Sequence, residues 1–235
     1  QLIYKIFSSI SIILKSICSM NNTVKKNIEE WSNHPFCEET QNKLNHLKND
    51  KVKLNDAFYK NLEFGTGGMR GLMGVGTNRI NKYTIGKNTQ GISNFINRNY
   101  RVNKSVVIAY DCRNNSSELA KIVAKVFSAN KIMVYLFSGM RPTPELSYAV
   151  RKLNCFCGIV LTASHNPPEY NGFKVYWKDG GQIVPPIDNI LISEIEKLKF
   201  KDINFNSRAE LIEIIDKEID KPFINKCLEN AIDKD

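Results

Sequence analysis

Between Ser105 and Thr162 the chain repeats one pattern, an apolar run of strand length followed by a stretch with helical spacing. The runs are SVVIAY (Ser105 to Tyr110), KIMVYLF (Lys131 to Phe137) and CFCGIVLT (Cys155 to Thr162). Helices are predicted between them over Ser117 to Asn130 and Pro144 to Leu153, and ahead of them over Thr84 to Tyr100. A helix between successive strands supplies the long crossover that parallel neighbours need. The expected fold is therefore α/β, a mixed, mostly parallel sheet sandwiched between helices. With 235 residues and 42% hydrophobic content, the chain can bury a large core and is not a disordered one.

The flanks read differently. From Met20 to about Lys60 the pattern is polar, with Val24, Ile28, Trp31, Leu44 and Leu47 at helical spacing, which predicts short helices. The stretch FGTGGMRGLMGVGTNR, residues 64 to 79, is too rich in glycine for a helix and reads as an ordered loop. After a fourth strand-like run, FKVYW (Phe173 to Trp177), Asp179, Gly180 and Gly181 form a turn, and an amphipathic helix over Ile187 to Leu198 opens at Pro185 and Pro186. A strand-like patch at Leu211 to Ile215 and a terminal helix then read as the start of another domain, loosely ordered and open to proteases. The predicted division is residues 1–19, 20–206 and 207–235. The first of these is an apolar extension interrupted by Lys5 and Lys15. It is too short a run for a span and lacks a small-residue cleavage site, so it reads as sequence ahead of a start at Met20, with no membrane partner expected.

The net charge of +9 suits a partner that carries phosphate. The basic residues are dispersed among acidic ones, so a solvated surface is expected and a nucleic-acid partner is not. The six cysteines have no CxxC spacing and the chain is too large to need disulfide staples. Free thiols in a reducing, cytoplasmic setting are expected, with Cys155 and Cys157 on one strand face as small core residues and no zinc site.

The run CFCGIVLT breaks at once into TASHNPPEYNGFKVYW. Pro167 and Pro168 bar a helix there and hold Asn166 extended, so the Ser164 hydroxyl could project into a cleft. The same residues would make an ordinary turn. A hydrolase nucleophile is a poor fit, because no G-x-S-x-G surrounds Ser164 and His165 is badly placed to act as base to its own neighbour. The glycine stretch is no nucleotide fingerprint either, since Arg70 and Arg79 stand where a last glycine belongs and the Lys-Ser/Thr of a phosphate-binding loop is absent.

Five motifs taken together choose between these readings. TASHNP (Thr162 to Pro167) resembles the phosphoserine signature of the α-D-phosphohexomutase superfamily, the phosphoglucomutases and phosphomannomutases, and NGFK (Asn171 to Lys174) resembles its downstream lysine motif. FGTGGMR (Phe64 to Arg70) resembles the first-domain loop, while DCR (Asp111 to Arg113) with Ser116, and RPTP (Arg141 to Pro144), fall in the intervening places. GLMGVGTNR (Gly71 to Arg79) is most similar to the phosphoglucomutase-2-like and phosphopentomutase-like branch.

The resemblance implies a phosphosugar mutase, of which this chain is an amino-terminal portion. Ser164 would carry a phosphoryl group, give it to one sugar hydroxyl and recover phosphate from the other end of a sugar bisphosphate, which also serves as activator. Arg70 and Lys174 would supply positive charge, with Lys174 a candidate general acid or base. His165 and Asn166 would help orient the group, and Gly65, Thr66 and Gly67 would let the backbone approach phosphate. The implied cofactor is Mg²⁺, bound through the phosphate on Ser164 and by aspartates of a later domain; this chain contains no D-x-D-x-D run. A sugar 1,6-bisphosphate synthase of the same family and an inactive interaction fragment are the alternatives. Which sugar phosphate is bound, and the oligomeric state, depend on features this sequence does not contain.

Overall fold

The computed structural model describes residues 21–102 and 104–232, so the extension read over residues 1–19 lies outside it. The described residues form two compact units, 21–61 with 75–78, and 62–74 with 79–232. The sequence predicts a different division, with one domain over 20–206 and a boundary at 207.

The first unit holds three short helices, α1 (Asn22–Trp31), α2 (Glu38–Leu47) and α3 (Lys51–Phe58). Helical spacing of Val24, Trp31, Leu44, Leu54 and Phe58 puts all five out of solvent. Trp31 stacks on Phe36 at 4.3 Å between ring centroids and meets the edge of Phe58 at 5.6 Å. Asn21 and Asp50 cap α1 and α3 through their side chains. Residues 75–78 join this unit because Gly76, at φ +134°, lies so close to Ala57 that a Cβ would stand 2.4 Å from its carbonyl oxygen.

The second unit is a sheet between helices. Its elements run β1 (Gly68–Leu72), α4 (Lys82–Asn99), β2 (Ser105–Tyr110), α5 (Ser116–Ala129), β3 (Met133–Phe137), α6 (Thr143–Lys152), β4 (Cys157–Leu161), β5 (Tyr170–Trp177), α7 (Ile187–Glu196), β6 (Ile212–Ile215) and α8 (Lys217–Glu229). The strand order is β1-β5-β4-β2-β3-β6. Only β5 runs against its neighbours; the β4/β2, β2/β3 and β3/β6 pairs are parallel. The mixed, mostly parallel sheet expected from the sequence is thus the fold.

Alternate residues of each strand go to opposite faces. Val106, Ile108, Val134, Ile159 and Val175 meet α4, α5 and α7 in one core. Val107, Ala109, Phe137 and Val160 meet Leu146 and Val150 of α6 and Ile219 of α8 in the other.

Three expectations change. The stretch 64–79 is not loop throughout, because Gly68–Leu72 is an edge strand in which Met69 and Gly71 are buried and Arg70 is exposed. Cys155 and Cys157 are both buried but in different cores, since β4 begins only at Cys157 and Cys155 precedes the extended backbone. Burial pushes the Cys155 thiol up to about 11. The segment from Ser207 is not separate from the sheet: β6 pairs in parallel with β3, and Ile215 and Ile219 are buried.

Candidate active site

The loops that follow β2, β3 and β4 leave the same end of the sheet, since these strands are parallel. From β2 the chain passes to α5 on one face, and from the adjacent β3 to α6 on the other. Neighbouring strands that diverge in this way open a crevice at their carboxyl ends. A cleft of about 400 Å³ lies there, lined by Asp111, Arg113, Ser116, Glu118, Gly139 and Met140 among others.

The Ser164 loop leaves β4 beside this crevice. Ala163 is fully buried while Ser164 and His165 are exposed. The Ser164 backbone is in the left-handed region, φ +58°, where a residue with a Cβ is uncommon. Its N–H donates to Thr162 Oγ1 at 2.9 Å, and its Oγ lies 3.3 Å from His165 Nδ1.

What holds the loop is Arg113, whose side chain is only 10% exposed. Nη1 donates to the carbonyls of Pro167 (3.0 Å) and Tyr170 (3.1 Å), and Nη2 to those of Ser164 and of Asn166 (2.6 Å). Arg113 is itself placed by Asp111, whose Oδ1 accepts from the Arg113 N–H (3.0 Å) and from Ser116 Oγ (3.1 Å). Asn171, fully buried on β5, donates to Ser116 Oγ at 2.9 Å and to the Asn114 carbonyl at 3.0 Å, tying the two loops together.

Strand register places the two candidate cations, Arg70 and Lys174. Arg70 on β1 stands opposite Gly172 on β5, and Lys174 opposite Gly68. Directly opposed residues of an antiparallel pair share a face, so Arg70 and Lys174 are diagonal neighbours on one face, each across from a residue with no side chain. Both glycines are sterically required. A Cβ on Gly68 would stand 2.0 Å from the Phe173 carbonyl oxygen, and one on Gly172 2.5 Å from that of Thr162. Gly172 also accepts from the Thr162 N–H, so Arg70, Gly172 and the base of the serine loop form one row across the sheet. At two strand spacings that row spans about 10 Å. Arg70 is exposed and makes no ion pair among the described residues.

Gly65, Thr66 and Gly67 lie towards Lys174 and not in the row of Arg70. The Gly67 carbonyl accepts from Val175, so these residues lie further along β5, away from the row that carries Thr162. They close a tight turn through mutual Gly65 and Gly68 hydrogen bonds, and the Thr66 hydroxyl donates to buried Asp188 at 3.0 Å. Asn166 is held through its carbonyl, while its buried Oδ1 has no hydrogen-bond partner. RPTP serves a different contact: Arg141 pairs with Asp216 and Asp220 at the start of α8. Sequence reasoning quotes DCR and NGFK as markers without finding that Arg113 and Asn171 fasten the loop. Their partners lie 51 to 57 residues away, and most are backbone atoms that carry no sequence signal.

No group of three or more His, Cys, Asp or Glu side chains that could hold a metal ion occurs among the described residues. Asp111, the carboxylate tied to the loop's clamp, is already engaged by Arg113 and Ser116. The residues present therefore do not fit a Mg²⁺ site by themselves. No described helix is long and apolar enough to cross a membrane.

Comparison with known proteins bears on this geometry. Residues 61–202 match the family model described as phosphoglucomutase/phosphomannomutase, alpha/beta/alpha domain I. A phosphoglucomutase of Staphylococcus aureus (strain bovine RF122 / ET3-1) is 44% identical over 147 residues, covering 63% of this chain and 26% of the relative. The chain thus spans about a quarter of the length of the curated relatives it matches. Among solved structures, a Thermus thermophilus protein described as a phosphomannomutase superposes with a TM-score of 0.57 at 27% identity, over 67% of this chain and 33% of that one. The Paramecium exocytosis-sensitive phosphoprotein parafusin, at 20% identity and a TM-score of 0.56, shares the fold over 72% of this chain and 36% of its own.

Proposed function

We propose, from the premise that this chain belongs to the phosphoglucomutase/phosphomannomutase family, that it supplies the phosphoserine-bearing part of a phosphosugar mutase. The observation that carries this reading is the exposed Ser164 hydroxyl, on a loop whose backbone is fastened from below by Arg113. A phosphoryl group on Ser164 Oγ passes to a sugar hydroxyl: the P–Oγ bond breaks, a bond from phosphorus to the sugar oxygen forms, and the hydroxyl proton leaves to a base. The resulting bisphosphate turns over and returns its other phosphoryl group to Ser164, so that phosphate is moved between positions without net transfer. Arg70 and Lys174, on one sheet face, offset the charge spread over the phosphoryl oxygens, and Lys174 is the candidate to take and return the proton.

His165, 3.3 Å from Ser164 Oγ, orients the hydroxyl. Gly65, Thr66 and Gly67, given their distance from the serine loop along β5, fit contact with a remote part of the substrate better than with the transferring phosphate. A Mg²⁺ ion, which family membership implies, would be held by a phosphate on Ser164 together with ligands outside the described residues, and would offset charge on that phosphate. The similarity of GLMGVGTNR to the phosphopentomutase-like branch keeps pentose as well as hexose phosphates in view as substrates, with a sugar 1,6-bisphosphate synthase the neighbouring alternative. A cytoplasmic location fits the cysteines of the described residues, which are thiols and not disulfides.

The test is turnover of glucose 1-phosphate and ribose 1-phosphate by the enzyme containing this chain. Ser164→Ala should abolish it. Retained turnover in that variant would remove Ser164 from the mechanism.

A further inference from the structure

We infer that Arg113 is the positioning residue of the phosphoryl-accepting loop, setting both the Ser164 backbone and the direction of the next peptide N–H. The inference rests on the reading of Ser164 as the phosphoacceptor. Four donors of one guanidinium end on the carbonyls of Ser164, Asn166, Pro167 and Tyr170, so nearly every turn of the loop is referred to a single planar group. A guanidinium has five N–H donors in a fixed fork. Here the fifth, Nε–H, makes no hydrogen bond and lies 3.7 Å from Asp111 Oδ2, which fixes the plane by charge.

Two consequences follow from elementary geometry. First, a serine at φ +58° is held against its own preference, a cost that other contacts must offset. Two side chains reach that residue's own backbone, Thr162 Oγ1 accepting from its N–H and Arg113 donating to its carbonyl, and of the two only Arg113 comes from outside the loop. Second, a trans peptide points its N–H opposite to its C=O. With the Ser164 carbonyl turned inward to Arg113, the His165 N–H is turned outward, on the side where Ser164 and His165 are exposed. It makes no hydrogen bond within the loop, and the two residues that would otherwise add N–H groups, Pro167 and Pro168, have none. The clamp therefore presents one backbone donor beside the serine, placed for an oxygen of the phosphoryl group.

Lysine cannot substitute. Its ammonium is a point charge with three donors and does not span four carbonyls.

The test uses the whole chain and needs no phosphate donor for its first arm. Arg113→Gln and Arg113→Lys are compared with the unaltered chain by NMR couplings that report the sign of φ at Ser164, and by amide exchange over residues 162–172. The expected result is loss of the positive-φ signature at Ser164 and an exchange increase of roughly tenfold or more, confined to the loop, in both variants. In Arg113→Gln, added methylguanidinium should restore it. If Gln fails to fold, Lys, which keeps the charge beside Asp111, carries the comparison. Wild-type couplings in the variants, or exchange rising equally across the sheet, would overturn the inference.

A second arm measures the enzyme containing the chain, where Arg113→Lys should lower kcat at least about tenfold with KM little changed, since the clamp acts on the nucleophile and not on substrate binding. A rise in KM alone would also count against it. If Ser164 takes no phosphate even in the unaltered enzyme, the mutase reading fails while the first arm still decides the clamp.

Discussion

Lys174 faces Gly68 and Arg70 faces Gly172, so each cation of the site looks across the strand pair at a bare backbone. This arrangement leaves both side chains free to reach an anion, and Arg70, on an edge strand, makes no ion pair among the described residues. Arg70→Ala is expected to lower kcat/KM by about 10²–10³, the usual worth of a group that stabilises developing charge, while folding stability changes by less than about 0.5 kcal/mol. Parallel measurement of turnover and of the denaturation midpoint checks this; comparable losses in both would make Arg70 a structural residue. At this scale the sequence offers Ser164, His165, Lys174 and Arg70 as candidates, because each lies in a short contiguous motif. It does not carry Arg113, whose role is to bind backbone carbonyls far along the chain. It also misplaces Cys155, since only the observed start of β4 fixes which core that side chain enters.

The helices and central strands follow from patterning because their apolar spacing is set by the two faces they bury. Edge elements are less legible. β1 has glycine at both Gly68 and Gly71, and its strand character comes from pairing with β5, not from its own composition. β6 is likewise recruited by β3, and with it α8, where Asp220 and the preceding Asp216 are gripped by Arg141. That contact contains a titratable group. Burial first, then the hydrogen bond to Asp220, pushes the Glu145 carboxyl up to about 7, while the Arg141 guanidinium holds Asp220 below the usual carboxylate range. Glu145 is neutral in the folded state when it would already be ionised in the unfolded one. Its contribution to stability is therefore complete below pH 4.5 and is lost as pH rises through about 7. The loss should be about 1–3 kcal/mol. The Asp220 contribution has the opposite sense and falls away only in acid. Glu145→Gln should flatten the decline between pH 4.5 and 7, read from melting temperatures across that range; an unchanged slope would mean that Glu145 is ionised in the folded chain.

For the molecule as a whole, the segment from residue 207 is part of the fold that positions the site. Ile215 and Ile219 are almost wholly buried in the core that α6 shares with the sheet. Removing residues 207–235 should lower stability by about 3 kcal/mol or more, at roughly 1.5–3 kcal/mol for each buried isoleucine, and should raise exchange along β3. An unchanged melting temperature in the shortened chain would instead restore the sequence expectation of a detached start to another domain. The α/β class and the serine loop were legible because alternation and a contiguous motif encode them, whereas the division into units depends on which distant strands pair. The central claim is that Ser164 is the phosphoryl carrier, and peptide mapping after incubation of the enzyme containing this chain with ³²P-labelled glucose 1,6-bisphosphate tests it most directly. The account predicts label on Ser164 alone and none in Ser164→Ala; label that persists in that variant, or that maps to another residue, would contradict it.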